Sequence, residues 1–117
     1  MSWAAIEPLP HDLLVVQTEA FQLNKMMDEA DRQRDPSARA QDYLAVAKRS
    51  ALFQKTVLES AELERLRCIA LRASGARDQA VISCTQATRR PLHSLQPWSA
   101  WLELARTLAE TSDDEET

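Results

Sequence analysis

Apolar residues near the N-terminus recur at the spacing of an amphipathic helix. Alternating steps of three and four residues connect six apolar positions: Leu13, Val16, Ala20, Leu23, Met27 and Ala30. This pattern is the a/d seam of a coiled coil or of a helical bundle. It predicts a helix over residues 12–34, and we expect Leu14 and Phe21 to widen its apolar face.

A second helical stretch follows, between Pro36 and Gly75, and contains mostly strong helix formers with no internal glycine or proline. Asp35 suits an N-cap, Pro36 suits the first helical position, and Gly75 suits the residue that ends a helix. The pattern therefore predicts one very long central helix over residues 36–74, about 58 Å in length. We expect it to form a hairpin with the first helix, or else a kinked continuation of it at Pro36.

The apolar positions of this predicted helix form two seams that are offset from each other. The early seam consists of Ala40, Leu44, Ala47 and Ala51, and the later seam consists of Leu63, Leu66, Ala70 and Ala73. Since the seams point in different directions, we expect the two halves of the helix to contact different neighbours. The N-terminal half should pair with the first helix and the C-terminal half with later helices.

Two shorter helices are predicted towards the C-terminus. One spans residues 78–90, between a capping Asp78 and the helix-breaking Pro91. The other spans residues 97–111, where six apolar residues recur at helical spacing: Trp98, Trp101, Leu102, Ala105, Leu108 and Ala109.

The two ends of the chain lack such patterns. Pro8 and Pro10 exclude a stable helix in residues 1–10, so we expect an irregular arm that docks through Trp3 and Ile6. Residues 112–117 contain four acids and no apolar side chain, which predicts a disordered acidic tail.

Composition supports an all-α fold. The chain has a single glycine in 117 residues, whereas the hairpins and bulges of sheets usually need several. The hydrophobic fraction of 44% is typical of a globular protein. We therefore expect a single helical domain over residues 1–111, a helical hairpin with a very long central helix and two shorter C-terminal helices.

The two cysteines, Cys68 and Cys84, form neither a CxxC motif nor a disulfide framework. We expect both to be buried thiols in a reducing compartment. The apolar run over residues 13–16 is too short to cross a bilayer. These observations predict a cytoplasmic protein.

Charge is segregated along the chain more strongly than the net charge of −4 suggests. Residues 65–109 carry seven basic and two acidic residues, whereas residues 110–117 carry five acids and no base. Six arginines form a candidate site for an anion or a nucleic acid: Arg65, Arg67, Arg72, Arg77, Arg89 and Arg90. Arginine suits bidentate contacts to phosphates and carboxylates. The alternative is that these arginines pair with Glu62, Glu64 or the acidic tail.

Catalytic chemistry has little support in this sequence. His11 and His93 lie beside prolines and far apart in the chain. A single glycine at a helix end excludes a glycine-rich phosphate loop. We predict that the protein is not an enzyme and has no catalytic residues, cofactor or metal site.

The remaining prediction concerns apolar surface. The first helix would cover only part of the long one, which would leave a patch that soluble monomers rarely expose. We expect a protein partner or a homodimer to cover it, at Leu63, Leu66, Ile69, Trp98, Trp101 and Leu102. The favoured hypothesis is an adaptor, chaperone or assembly factor, a description that also fits viral, phage and secretion accessory proteins. The second is a nucleic-acid-binding oligomer, as a regulatory or packaging subunit would be.

Overall fold

The computed structural model describes residues 10–93 and 98–116, with side chains for residues 11–93 and 98–110. These residues form five helices and no strand, which confirms the all-α prediction. The predicted arm covers residues 1–10 and includes Trp3 and Ile6. All of it except residue 10 lies outside the described part of the chain. The helices are α1 (Pro10–Asp31), α2 (Pro36–Thr56), α3 (Ala61–Ser74), α4 (Arg77–Ala87) and α5 (Ser99–Glu116).

Helices α1 and α2 pack against each other across the short connection at residues 32–35. The predicted seam of α1 is confirmed, since Val16, Leu23 and Ala30 are fully buried. Asp35 begins α2 as expected, because its side chain accepts a hydrogen bond from the Ala38 backbone amide. The expected widening of the α1 face is wrong: Leu14 and Phe21 point to solvent.

The very long central helix is also wrong, because the chain leaves helical geometry at residues 57–60. Ser60 has an extended backbone, and its hydroxyl accepts a hydrogen bond from the Glu62 amide, which makes it the N-cap of α3. The side-chain carbonyl of Gln54, near the end of α2, accepts a hydrogen bond from the Ser60 amide. These two contacts satisfy backbone donors that a continuous helix would have used, so the interruption is stable.

The resulting short helix α3 lies at the centre of the fold and packs against all four other helices. Leu63, Leu66, Ala70 and Leu71 belong to the buried core. As predicted, Gly75 ends this helix, with a left-handed φ of 93°. The amides of Gly75 and Ala76 donate to the carbonyls of Arg72 and Leu71, and the chain turns directly into α4.

The two C-terminal helices also differ from the prediction. Helix α4 has 11 residues and α5 has 18, so the described helices are closer in length than expected. Residues 112–116 continue α5, where a disordered tail was predicted. No proline or glycine interrupts the sequence after Pro97, so nothing in the backbone forces the helix to stop at residue 111.

Cys68 of α3 and Cys84 of α4 form a disulfide between the two helices. The prediction of two free thiols is therefore wrong, because helix packing brings together cysteines that are 16 residues apart. Disulfides are typical of oxidising compartments, so the pair no longer supports a reducing one. The cytoplasmic location stays a prediction.

Candidate functional site

Helix α5 packs on α3 and α4 with a mixed face inward, which contains Glu103 and Thr107 beside Ala100 and the partly buried Leu104. Glu103 and Thr107 are buried, and Thr107 is only 1% exposed. The tryptophans lie on the outside, where Trp101 is 62% exposed. The largest apolar side chains near and on α5 therefore point away from the core, whereas the apolar face of a helix usually packs against it.

Buried ion pairs explain why the polar side of α5 faces inward. The Glu103 carboxylate lies 2.7 Å from Nη2 of Arg72 and 3.8 Å from Nη1 of Arg65, both on α3. Arg106 of α5 also approaches it, at 3.8 Å. A buried carboxylate needs such partners, because an unpaired charge is very costly away from water.

Thr107 strengthens the same contact one turn later. Its hydroxyl oxygen accepts a hydrogen bond from Nη1 of Arg72 at 3.0 Å and donates one to the Glu103 carbonyl at 2.9 Å. It also lies 3.4 Å from the sulfur of Cys68 and 3.6 Å from that of Cys84. Helix α5 therefore sits directly on the disulfide that joins α3 and α4.

The outward face of α5 forms a continuous apolar stripe, which we call the α5 stripe. Its seam advances by three, four and three residues, through Trp98, Trp101, Ala105 and Leu108, and Leu102 and Ala109 lie beside this seam. All six are exposed. The spacing is that of a coiled-coil seam, but no described helix covers it.

The predicted apolar partner surface divides into two groups in the structure. Leu63 and Leu66 are buried in the core, where α3 meets its neighbours, so their assignment to a partner surface is corrected. Ile69 is half-buried and packs against the same core. Trp101 and Leu102 of α5 remain exposed, together with Trp98, which directly precedes this helix.

The six arginines do not form one open basic surface. Arg65 makes two hydrogen bonds to Glu62, and Arg67 contacts both oxygens of Glu64. Arg72 contacts Glu103, as described above, and also Glu110. These contacts agree with the alternative of pairing within the chain.

The other three arginines lie near the ends of α4. Nη1 of Arg90 lies 3.0 Å from Glu59, and its Nε lies 3.9 Å from Glu64. Arg77 at the start of α4 and Arg89 after its end are both exposed. Most of the charge on the predicted basic cluster is therefore balanced locally by carboxylates.

A buried carboxylate at Glu64 was not anticipated from the sequence. Its side chain is 1% exposed and accepts hydrogen bonds from Ser83 of α4, at 2.8 Å, and from Gln54 of α2, at 3.3 Å. Glu64 and Arg67 line an open pocket of about 270 Å³ together with Lys55, Glu59 and Arg90. Only the serine at position 60 hinted at this junction, because it is a good helix cap.

A partly buried ion pair joins α1 and α2 on another side of the molecule. Arg49 donates two hydrogen bonds to the Glu19 carboxylate, at 2.9 and 3.0 Å. These bonds raise the pKa of the Arg49 guanidinium above its ordinary value. Because arginine is already charged at every physiological pH, this shift changes no charge, and the pair serves to hold α1 against α2.

Other kinds of site have no support in the described residues. Within the described part of the chain, no three His, Cys, Asp or Glu side chains group closely enough to hold a metal ion. None of the described helices is long and apolar enough to cross a membrane. A comparison with protein-family models, with curated proteins and with solved structures gave no match for this chain.

Proposed function

We propose that this chain is a non-catalytic interaction protein that presents the α5 stripe to a helix of another protein molecule. The observation that carries the proposal is the reversed orientation of α5. Glu103 and Thr107 occupy the inner face of this helix, whereas Trp98 and Trp101 occupy the outer face. A helix that only had to complete the core would gain more by burying its tryptophans.

The chemistry of the stripe fits a protein interface. Tryptophan is enriched among the few residues that supply most of the binding energy of protein interfaces, and leucine adds apolar area that becomes buried against a partner. The stripe adds two large aromatics to a single exposed face, rather than scattering them over the surface. Isolated exposed apolar residues need no explanation, but a contiguous apolar stripe is typical of a binding surface.

The ion pairs beneath α5 fit the same role. Arg72 and Glu103 hold the helix in one orientation, so the outer stripe is presented on a fixed support. A preorganised surface loses less conformational entropy on binding than a mobile one. The roles that this predicts are those of an adaptor, a chaperone or an assembly factor.

Paired substitutions test this proposal. Trp101→Glu places a charge in the stripe, and Leu52→Glu is a matched control because Leu52 is equally exposed, at 62%, but lies on α2. We expect the wild type to gain mass with concentration in light scattering, or to co-purify with a second protein from the native source, and Trp101→Glu to abolish this association. Leu52→Glu should not abolish it, and both variants should keep the far-UV circular dichroism of the wild type.

If Trp101→Glu changes neither the mass nor the co-purifying proteins, the proposal is wrong. A change of the same size in Leu52→Glu would also contradict it, because the effect would then belong to any exposed apolar residue.

A nucleic-acid-binding oligomer is the second candidate, and the exposed Arg77 and Arg89 are the observation in its favour. The ion pairs of Arg65, Arg67 and Arg90 weigh against it, since these side chains would have to exchange carboxylates for phosphates. Filter binding at two salt concentrations tests it, because phosphate contacts make the affinity fall steeply with salt. No retention at low salt would exclude this function.

A further inference from the structure

We infer that the partner of the α5 stripe is the α5 stripe of a second copy of this chain, and that the two helices pair antiparallel. This inference rests on the proposed function and names its partner. It follows from two features of α5: the order of large and small side chains along the seam, and the position of the acidic residues.

Side-chain size distinguishes the two possible directions of pairing. In an antiparallel pair centred at the height of Glu103, Trp101 of one copy faces Ala105 of the second copy, and Trp98 faces Leu108. In both layers that contain a Trp101, this largest side chain then lies opposite the small side chain of Ala105, so that the two surfaces can interlock.

A parallel pair would place identical residues opposite each other. Trp101 would then face Trp101, and Ala105 would face Ala105, so one layer would be crowded and another would contain a gap. Both overpacking and cavities destabilise a packed interface. The order of residues along the seam therefore favours the antiparallel direction.

Charge favours the same direction. The last two turns of α5, from Glu110 to Glu116, contain five acids in seven residues, whereas its first turn contains none. Antiparallel pairing places the acids of the two copies at opposite ends of the pair, where they do not repel each other. Parallel pairing would place five acids beside five acids.

Symmetry and access are both compatible with this dimer. A two-fold axis makes the interface self-complementary, and each copy contributes the same stripe, as in most homodimers. The inner face of α5 stays on α3 and α4 of its own chain, so no described helix has to move. Because the seam has only four layers, we expect a weak dimer with a dissociation constant on the order of micromolar.

Cysteine cross-linking tests the direction of pairing. Trp98 and Leu108 are ten residues apart on α5, which corresponds to about 15 Å along the helix. We therefore compare Trp98→Cys alone, Leu108→Cys alone and an equal mixture of the two variants, each treated with a mild oxidant and separated on a non-reducing gel. The wild type is the control, because it shows whether Cys68 and Cys84, which already form a disulfide with each other, contribute any cross-linking between chains.

In the antiparallel dimer a cysteine at position 98 faces one at position 108, whereas identical positions lie too far apart to be bridged. Cα atoms more than about 7 Å apart do not form a disulfide. In the mixture, only half of the dimers contain one copy of each variant, so the cross-linked fraction is corrected for this factor. We expect the corrected fraction to exceed that of either variant alone by about tenfold. Strong cross-linking of each single variant by itself would show parallel pairing and overturn the inference.

Failure of the inference and failure of the proposed function give different results. If the wild type stays monomeric at every concentration while Trp101→Glu releases a different co-purifying protein, self-pairing is wrong and the interaction function stands. If the wild type is monomeric and Trp101→Glu has no effect on co-purification, both are wrong. Cross-linking in the mixture, together with a dimeric wild type and a monomeric Trp101→Glu variant, supports both.

Discussion

Arg72 of α3 and Glu103 of α5 form an ion pair of 2.7 Å that decides which face of α5 points to solvent. Both side chains are largely buried, and Thr107 adds a hydrogen bond to the same guanidinium. These contacts hold α5 by the side that carries Glu103 and Thr107, and they leave the two tryptophans on the opposite side. The orientation of the candidate binding surface depends on this pair.

Glu103→Ala is the direct test of that dependence. The substitution leaves Arg72 and Arg65 without their shared carboxylate inside the protein, and breaking a buried pair in this way costs about 3 kcal/mol. We expect this loss in the free energy of unfolding, measured by urea denaturation. Glu59→Ala is the control, because Glu59 pairs with Arg90 while it is largely exposed, and its loss should cost less than about 1 kcal/mol. Equal effects of the two substitutions would contradict the buried role of Glu103.

Glu64 allows a similar prediction at the junction of α2, α3 and α4. Glu64→Leu removes the carboxylate that accepts hydrogen bonds from Ser83 and Gln54, and it leaves Arg67 without its partner. We expect a loss of about 2 kcal/mol or more in the free energy of unfolding, because buried donors then lack an acceptor. Glu64→Gln should lose less, since the amide oxygen can still accept from Ser83. Thermal unfolding of both variants measures the difference, and an unchanged Glu64→Leu protein would contradict it.

The interruption of the predicted long helix depends on Ser60. Ser60→Ala removes the hydroxyl that caps α3, which we expect to lower the free energy of unfolding by about 1 kcal/mol. Ser37→Ala is a suitable control, because Ser37 is exposed and lies inside α2, and it should change stability by less than about 0.5 kcal/mol. A stabilised Ser60→Ala protein would show instead that a continuous helix from α2 to α3 is accessible.

The disulfide predicts a stability that depends on reductant. It closes a loop of 16 residues between Cys68 and Cys84, and a loop of this size is worth about 3 kcal/mol in the chain-entropy model. We expect reduction to lower the urea midpoint of the wild type, whereas the double variant Cys68→Ala with Cys84→Ala should not respond to reductant. Titration of two free thiols in the unreduced, unfolded protein would contradict the disulfide.

The acidic end of α5 gives a prediction about the dimer. Conversion of residues 113–116 to the corresponding amides removes four charges from the C-terminal end of α5. We expect the dissociation constant from sedimentation equilibrium to change by less than about twofold, because in the antiparallel pair these residues lie beyond the start of the partner helix and far from their counterparts. In a parallel dimer the dissociation constant would instead fall markedly, since the same change would relieve repulsion between the two acidic ends.

The parts of the fold that depend on local sequence could be predicted, and the parts that depend on distant contacts could not. The buried seam of α1, the cap at Asp35 and the turn at Gly75 follow from residue spacing and backbone preference. The break before Ser60 depends on Gln54, whose side chain binds the Ser60 amide only when the chain has already turned. No propensity scale contains that contact.

The candidate site shows the same limit. The spacing of Trp98, Trp101 and Leu102 predicted an apolar face on the last helix, and that face exists. Whether it points inward or outward depends on Arg72, which lies 31 positions before Glu103 in the sequence. Leu63 and Leu66 were assigned to a partner surface for the same reason: the sequence showed that they were apolar but not which helices surround them.

The interruption at residues 57–60 also has a consequence for how the chain assembles during synthesis. Because the chain turns back there, every helix packs against the next one along the sequence, and α3 gathers its contacts from helices close to it in the chain. Such local contacts require little loop closure, so we expect folding within milliseconds or faster. Helices α1 to α4 can form their shared core before α5 has left the ribosome. The last helix then docks on a finished support, where Arg72 and Arg65 of α3 are already in place to receive Glu103.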